Sequence, residues 1–318
     1  MDPFFLSRAC IDHYNRFATR HLYEEVDALF PGAEAGEAVS CDGTRLHYIT
    51  IGRGLPIIIS SGVWCTYTYH HFMTDYFKDR YRLILWDYRG HSRSQVPEDP
   101  DSFTMDNFAS DLAAVLDAAG EEQAILLGFS MGVMVILEFW RLFPQRVLGL
   151  IPLNGPYRDS MALFSEKGWF QNLAAAVAGE LAEHPWLISW FTPIVTLPIN
   201  FPLARKIEIH PDLCPRHEMD LYFQNVVRND LPSGLRAIRM MIEYDASAFV
   251  NDINVPTLVI GGTDDGWTPV SLMEELHEAI ADSEFMLIDQ GTHATPIEQP
   301  QLINLRVDLW LRDHFKAR

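Results

Sequence analysis

Short apolar runs alternate along the chain with segments whose apolar residues recur three and four positions apart. The short runs predict buried strands, and the amphipathic segments predict helices. Two short predicted strands flank a hairpin turn at Asp42-Gly43, the second of them covering residues 45–51. Further predicted strands cover residues 56–60, 81–86, 123–127, 147–153, 256–260 and 284–288. The predicted helices cover residues 72–77, 105–119, 131–143, 271–281 and 301–315. This alternation predicts an α/β fold with a mostly parallel central sheet flanked by helices.

One long segment interrupts this alternation of predicted strands and helices. Residues 156–250 have a mostly helical pattern, are rich in Trp, Phe and Pro, and are too long for a loop. We interpret them as a helical cap inserted into a core formed by residues 37–155 and 251–318. Residues 1–36 form an N-terminal helical extension, which packs on the core or on a partner chain. A homodimer is compatible with the second arrangement.

Composition narrows the choice of partners. The 318 residues include 24 Lys and Arg against 43 Asp and Glu, giving a formal charge of −19. Such a surface repels nucleic acids, so a small-molecule substrate is the expected partner. The longest apolar stretch, residues 186–203, contains three prolines, and no membrane span is predicted. The four scattered cysteines and the lack of a secretory signal favour a cytoplasmic location.

The most informative motif is Gly128-Phe129-Ser130-Met131-Gly132, which joins a predicted strand to a predicted helix. In this context G-x-S-x-G predicts a nucleophile elbow, a sharp turn that holds the serine in a strained backbone conformation. The flanking glycines leave room for the turn, and the helix N-terminus offers positive potential to a developing oxyanion. Ser130 is therefore the candidate nucleophile.

A serine needs a base and a group that orients the base. Two later strands end in suitable residues: Asp264-Asp265 follows one strand, and Gly291-Thr292-His293 follows the next. Because the carboxyl ends of parallel strands meet at one edge of the sheet, these groups can converge with Ser130. Asp265 is favoured over Asp264, which can serve as a turn residue.

These segments resemble the α/β-hydrolase fold family. Residues 86–94, Trp-Asp-Tyr-Arg-Gly-His-Ser-Arg-Ser, resemble its D-x-R-G-x-G-x-S loop, with Ser92 in place of the second glycine. Gly262-x-x-Asp265 and Gly291-x-His293 match the positions of the family's acid and base. The resemblance covers roughly residues 37–155 and 251–316.

The resemblance implies a catalytic triad. Ser130 would be the nucleophile, His293 the general base, and Asp265 the residue that orients the imidazole. Some family members place the acid after the preceding core strand, which here ends at Asn154 without a carboxylate. That ending supports Asp265.

Two backbone N–H groups are expected to form an oxyanion hole. Met131 supplies one as the residue after the nucleophile. Val63 supplies the other from the loop after the third strand, with Trp64 as the alternative donor. Ser61 stands where family members often have histidine, which questions the usual anchoring of this loop.

Aromatic residues are the candidates for substrate binding: Trp64, Phe129, Trp186 and Trp190. Those of the cap indicate an apolar or aromatic substrate, or else form only the cap's own core. The triad chemistry needs no cofactor or metal, and the adjacent His70 and His71 lack the carboxylate spacing that would complete a metal site.

The expected reaction is hydrolysis of a carboxylic ester or lactone through an acyl-enzyme. Hydrolysis of a carbon–carbon bond in a diketone-type acid, for which Arg205 and Arg216 in the cap would matter, is an alternative, as is a weakly catalytic small-molecule receptor. Acyl transfer to another acceptor and perhydrolysis also stay open. Epoxide hydrolases and haloalkane dehalogenases need a carboxylate at position 130, which disfavours both.

Overall fold

A computed structural model describes residues 26–158, 180, 209–210, 212–226 and 229–315. Its centre is one sheet of eight strands. The strands are β1 (Glu34–Val39), β2 (Arg45–Gly52), β3 (Pro56–Ser60), β4 (Arg82–Trp86), β5 (Ala124–Phe129), β6 (Val147–Leu153), β7 (Thr257–Gly262) and β8 (Ser283–Ile288). The predicted strands from 45 onward are all present, with bounds shifted by at most two residues.

The strand order is β1-β2-β4-β3-β5-β6-β7-β8. β1 pairs with β2, and β2 with β4, in antiparallel orientation, while every other neighbouring pair is parallel. The fold class predicted from the sequence is therefore confirmed. The crossovers among β3 to β8 bring the carboxyl ends of six strands to the same edge of the sheet.

Eight α-helices lie wholly within the described part of the chain. They are α1 (His71–Phe77), α2 (Met105–Ala119), α3 (Met131–Leu142), α4 (Arg216–Val226), α5 (Leu231–Glu243), α6 (Val270–Ala279), α7 (Thr295–Glu298) and α8 (Pro300–His314). Local sequence explains their ends: the Thr104 hydroxyl accepts a hydrogen bond from Asn107 N at the start of α2, and Gly120 ends it at φ 79°. None of these helices has the length and apolar character needed to span a bilayer.

The core has two halves, one on each face of the sheet. Alternate residues of a single strand enter different halves: Ile58 belongs to one cluster, whereas Ile57 and Ile59 belong to the other. Helices α2 and α3 cover the first face, and α8 covers the second. A strand that is buried on both sides needs apolar residues at every position, which explains the uninterrupted apolar runs.

The predicted domain bounds are only partly within the described residues. β1 begins at Glu34, three residues before the predicted start of the core at residue 37. Most of the predicted N-terminal extension lies outside the described residues, although Val26 and Phe30 are buried in the core. Most of the predicted cap, residues 159–208, is outside as well, except Glu180. Its last part includes α5, from which Ala237 and Met240 enter the core.

A buried arginine holds the loop after β4. The Arg89 guanidinium donates to both carboxylate oxygens of Asp111, at 2.7 and 2.6 Å, and to Asp42 at 2.7 Å. A bidentate pair of this kind fixes position as well as charge. It anchors the loop of residues 87–94 beneath the edge of the sheet where the candidate site lies.

His70 is a second buried polar group, and its two ring nitrogens have no hydrogen-bond partner among the described residues. Burial, and secondarily the nearby His71, lowers the pKa of His70 to about 3. The unfolded chain binds a proton there near pH 6.5. Between those two values the unfolded state holds more protons, so protein stability falls as the pH falls below 6.5.

We therefore expect His70→Leu to flatten the dependence of the unfolding free energy on pH. Between pH 6.5 and 5 the wild type should lose about 1.6 kcal/mol of unfolding free energy through this residue, and the variant should not. Urea unfolding at pH 6.5 and 5 measures the two slopes. His91, also buried with a lowered pKa, titrates in both proteins, so the difference between slopes is the relevant quantity. Equal slopes would contradict the assignment.

Candidate active site

The turn between β5 and α3 has the geometry expected of a nucleophile elbow. Ser130 lies at φ 55° and ψ −120°, a conformation that side chains rarely adopt. The turn is tight because the neighbouring backbones touch: a Cβ at Gly128 would lie 2.3 Å from Gly132 O, and one at Gly132 would lie 2.1 Å from Ser60 O. Only glycine fits at either position, so the sequence requirement follows directly from the packing.

Three side chains meet at the carboxyl edge of the sheet. Ser130 Oγ lies 3.0 Å from His293 Nε2, and His293 Nδ1 lies 3.0 and 2.9 Å from the two carboxylate oxygens of Asp265. All three residues are buried, with less than a tenth of each exposed. A hydroxyl, an imidazole and a carboxylate in this order can activate the hydroxyl as a nucleophile.

The loop after β7 fixes the carboxylate of Asp265. Its Oδ1 accepts hydrogen bonds from the backbone N–H groups of Trp267 and Thr268, both at 2.8 Å. The other candidate, Asp264, is exposed and accepts from the Thr263 hydroxyl. The structure thus places Asp265, and not Asp264, against the imidazole.

The residue before His293 is held from two sides. The Thr292 hydroxyl donates to the Glu298 carboxylate at 2.8 Å, and its carbonyl accepts from Asn154 Nδ2 at 2.9 Å. Burial raises the pKa of Glu298, although hydrogen bonds from His210 N and Thr292 oppose the rise. Asn154, at the end of β6, therefore supports the imidazole loop from the strand end that carries no carboxylate.

The loop after β3 forms a turn against Ser130. Cys65 N donates to Gly62 O at 3.2 Å, with Trp64 at φ 57° inside the turn. A Cβ at Gly62 would lie 3.1 Å from Ser130 Cβ, so the turn and the serine are in direct proximity. This hydrogen bond involves the N–H of Cys65. The N–H groups of Val63 and Trp64 take no part in it. Met131, the first residue of α3, has one of the N–H groups that a helix start leaves without a helical partner.

A cavity of about 200 Å³ opens beside Ser130 and His293. Its other described lining residues come from the loops after β3 and β7, from the segment that follows β6, from the short helical turn before α1, and from α4 and α5. They are Val63, Trp64, Cys65, Tyr69, Pro156, Tyr222, Ile238, Met241, Ile242, Trp267 and Thr268. No lysine or arginine is among these described lining residues.

The candidate substrate-binding residues have different positions. Val63 and Trp64 line the cavity. Phe129 is not among the described lining residues; it is buried, stacks on Tyr69 at 4.9 Å and lies 5.1 Å from the His293 ring. Trp186 and Trp190 lie outside the described residues.

The contribution of α5 was absent from the sequence prediction. Ile238, Met241 and Ile242 recur three and four residues apart, which places them on one face of this helix. The same periodicity in the sequence could have identified them as a group, but not the cavity that they face.

Known proteins resemble this chain over most of its length. The sequence model of the α/β hydrolase fold matches residues 54–184. RutD of Azorhizobium caulinodans, named for carbamate hydrolysis, is 28% identical over 274 residues, 86% of this chain and 95% of the relative. The 3-oxoadipate enol-lactonase 2 of Acinetobacter baylyi is 26% identical over 278 residues, again 86% of this chain and 95% of the relative. Relatives named as epoxide hydrolases also occur.

The fold has solved counterparts. A thermophilic esterase from Thermogutta terrifontis superposes with a TM-score of 0.71, covering 88% of this chain and 99% of the esterase at 24% sequence identity. The similarity therefore extends to most of the fold.

Proposed function

Since the chain belongs to the α/β-hydrolase fold family, we propose that it is a serine hydrolase that cleaves carboxylic esters or lactones. The observation that carries the proposal is the hydrogen-bonded series of Ser130, His293 and Asp265 at the wall of a cavity. A carboxylate–imidazole–hydroxyl series is what acyl transfer through a serine requires.

The proposed reaction has two stages. His293 Nε2 removes the proton from Ser130 Oγ as the oxygen attacks the substrate carbonyl, and it then protonates the leaving alkoxide. Water, activated by the same nitrogen, releases the acid from the acyl-enzyme. Asp265 keeps the Nδ1 proton in place and stabilises the imidazolium that forms at each stage.

The oxyanion of each tetrahedral intermediate is expected to lie between Met131 N–H and Val63 N–H. Both groups belong to segments that touch Ser130: Met131 follows it, and the turn containing Val63 packs on its Cβ side. The N-terminus of α3 adds positive potential at the same point. Losing one donor of such a pair typically costs a factor of about 10² to 10³ in kcat.

The cavity supports a compact, neutral substrate. Its described walls are mainly apolar or aromatic, and no cationic side chain among them could pair with a substrate carboxylate. The formal charge of −19 also disfavours anions. Simple esters and uncharged lactones therefore fit better than dicarboxylic enol-lactones or diketone acids.

Opening an epoxide requires a carboxylate nucleophile, and position 130 carries a serine instead. The relatives named as epoxide hydrolases therefore share the fold without indicating that reaction for this chain. The identity of the nucleophile, serine or carboxylate, distinguishes ester or lactone hydrolysis from epoxide opening, and the names of the relatives do not.

Reaction with a fluorophosphonate, followed by intact-mass measurement, tests the proposal. We expect one adduct per chain on native protein, none on Ser130→Ala, and repeated turnover of neutral p-nitrophenyl esters or lactones. A native protein that forms no adduct would contradict the proposal. An adduct combined with only one turnover of any ester would instead favour a small-molecule receptor.

A further inference from the structure

Asn229 joins two turns at the edge of the cavity. Its side-chain Nδ2 donates to Trp64 O at 2.6 Å, and its Oδ1 accepts from Ser92 N at 2.8 Å. Both partners have left-handed backbone conformations, with φ 57° at Trp64 and 47° at Ser92. One buried amide thus holds two strained turns together, and such turns persist only where the surroundings fix them.

The start of α5 reinforces this contact. Asp230 N donates to Gly90 O at 3.2 Å, while the Asp230 carboxylate accepts from Ser233 N at 2.9 Å at the start of the helix. One turn later, Gly234 lies so close to the Trp64 indole that a Cβ there would be 1.6 Å from Nε1. The indole therefore packs directly on the helix backbone, and the turn containing Trp64 is fixed from both backbone and side chain.

Ser61 gives no comparable support. Its hydroxyl is buried and has no hydrogen-bond partner in the part of the chain that the structure describes. The loop after β3 is tied to the loop of residues 87–94 by Tyr88, whose hydroxyl donates to Ser61 O at 2.7 Å, and to the segment before α5 by Asn229.

We infer that Asn229, assisted by Gly234, is a positioning residue for the oxyanion donor in the turn of residues 62–65. The inference rests on the proposed function, because it presumes that Val63 N–H binds an oxyanion. Asn229 holds Trp64 O, which belongs to the same peptide unit as the Cys65 N–H that closes the turn on Gly62 O, and Gly234 admits the indole that completes the turn. The residues just before α5 would then determine the catalytic rate of a site whose reacting groups follow β3 and β5.

The expected defect falls on kcat rather than KM. An oxyanion exists only after the serine has attacked, so a displaced donor weakens the transition state and leaves substrate binding nearly unchanged. A displacement of about 1 Å in a catalytic group can cost about 100-fold. A shifted donor should cost less than a deleted one, so we expect a loss of about 10- to 100-fold.

Two variants separate positioning from folding. Asn229→Asp keeps the side-chain shape and can still accept from Ser92 N, but it replaces the donor to Trp64 O with an acceptor. Gly234→Ala reaches the same turn through the indole, although alanine ordinarily favours a helix. Asn304→Asp is the matched control: Asn304 is equally buried and donates to a backbone carbonyl, Phe72 O, at 3.3 Å, outside the described cavity lining.

Steady-state hydrolysis of a neutral p-nitrophenyl ester and inhibition by a trifluoromethyl ketone are the two measurements. In both Asn229→Asp and Gly234→Ala, kcat should fall about 10- to 100-fold and the Ki of the ketone should rise in parallel. KM should stay within about threefold in Asn229→Asp, whereas Gly234→Ala also moves the cavity-lining indole and can change KM. Asn304→Asp should lower only the melting temperature. Folded Asn229→Asp with wild-type kcat and Ki would overturn the inference alone. A wild type that neither hydrolyses the ester nor binds the ketone would overturn the proposed function and the inference with it.

Discussion

Ser130→Ala should abolish measurable ester turnover, with kcat reduced roughly 10⁵- to 10⁶-fold. The hydroxyl that lies 3.0 Å from His293 Nε2 is the only group lost. Without it, water must attack the substrate directly, and neither a positioned nucleophile nor an acyl-enzyme is available. The residual rate would reflect the cavity and the oxyanion donors alone, which is why it should still exceed the uncatalysed rate.

The fold should survive this substitution. The backbone at position 130 is strained for alanine as it is for serine, and the glycines that allow the turn are retained. Hydrolysis of p-nitrophenyl acetate, together with far-UV circular dichroism, measures both properties. Ser110→Ala, which removes a hydroxyl on α2 that donates to Asp106 O, is a suitable control and should keep full activity. Retained turnover in Ser130→Ala would assign the nucleophile elsewhere.

Asp265→Asn should reduce kcat about 10⁴-fold while leaving substrate affinity nearly unchanged. Two backbone N–H groups, those of Trp267 and Thr268, require an acceptor at Oδ1. The new amide would therefore place its NH₂ at the Oδ2 position, 2.9 Å from His293 Nδ1. Nδ1 would then accept a hydrogen bond, the ring proton would move to Nε2, and the imidazole could no longer receive the Ser130 proton.

The neighbouring aspartate provides a matched control. Asp264→Asn makes the same chemical change one residue earlier, at an exposed side chain whose described partner is the Thr263 hydroxyl. Its kcat should stay within about twofold of the wild type, because surface changes of this kind rarely have large effects. Pre-steady-state acylation rates would distinguish the two variants most directly. An equal loss in both would mean that the loop as a whole, rather than one carboxylate, supports the histidine.

The sequence was most informative where one local pattern has one structural solution. The G-x-S-x-G pentapeptide between a strand and a helix predicted a strained serine, and Ser130 has φ 55°. The positions of Asp265 and His293, each in the loop after a parallel strand, predicted convergence with that serine, and the three side chains are within hydrogen-bond distance in series. In both cases, a short segment and the direction of the sheet determine the geometry.

Contacts between segments that are distant in the sequence could not be predicted from local sequence patterns. Ser92 in place of a motif glycine indicates an exception, but not that this serine has a left-handed conformation or that its N–H donates to Asn229. In the sequence, Asn154 is informative only because it is not a carboxylate, yet in the structure it supports the His293 loop through Thr292 O. The sequence around an asparagine does not identify its hydrogen-bond partner, because tertiary packing determines which group lies next to the amide.

The sheet also has a consequence for how such enzymes diversify. Neighbouring strands β6 and β7 are parallel partners, but the chain makes its long excursion between Leu153 and Thr257 before it pairs again. Loop-closure entropy grows only slowly with length, so lengthening or shortening this excursion has a small entropic cost, whereas exchanging its last part would remove the core residues Ala237 and Met240. A chimaera whose foreign segment ends before Asn229 would keep Asn229 and, with it, the arrangement of the reactive groups. A chimaera whose foreign segment extends past Asn229 would need to supply an equivalent amide. In a library of recombined hydrolases, active clones should therefore be much rarer when the junction lies after Asn229 than when it lies before it.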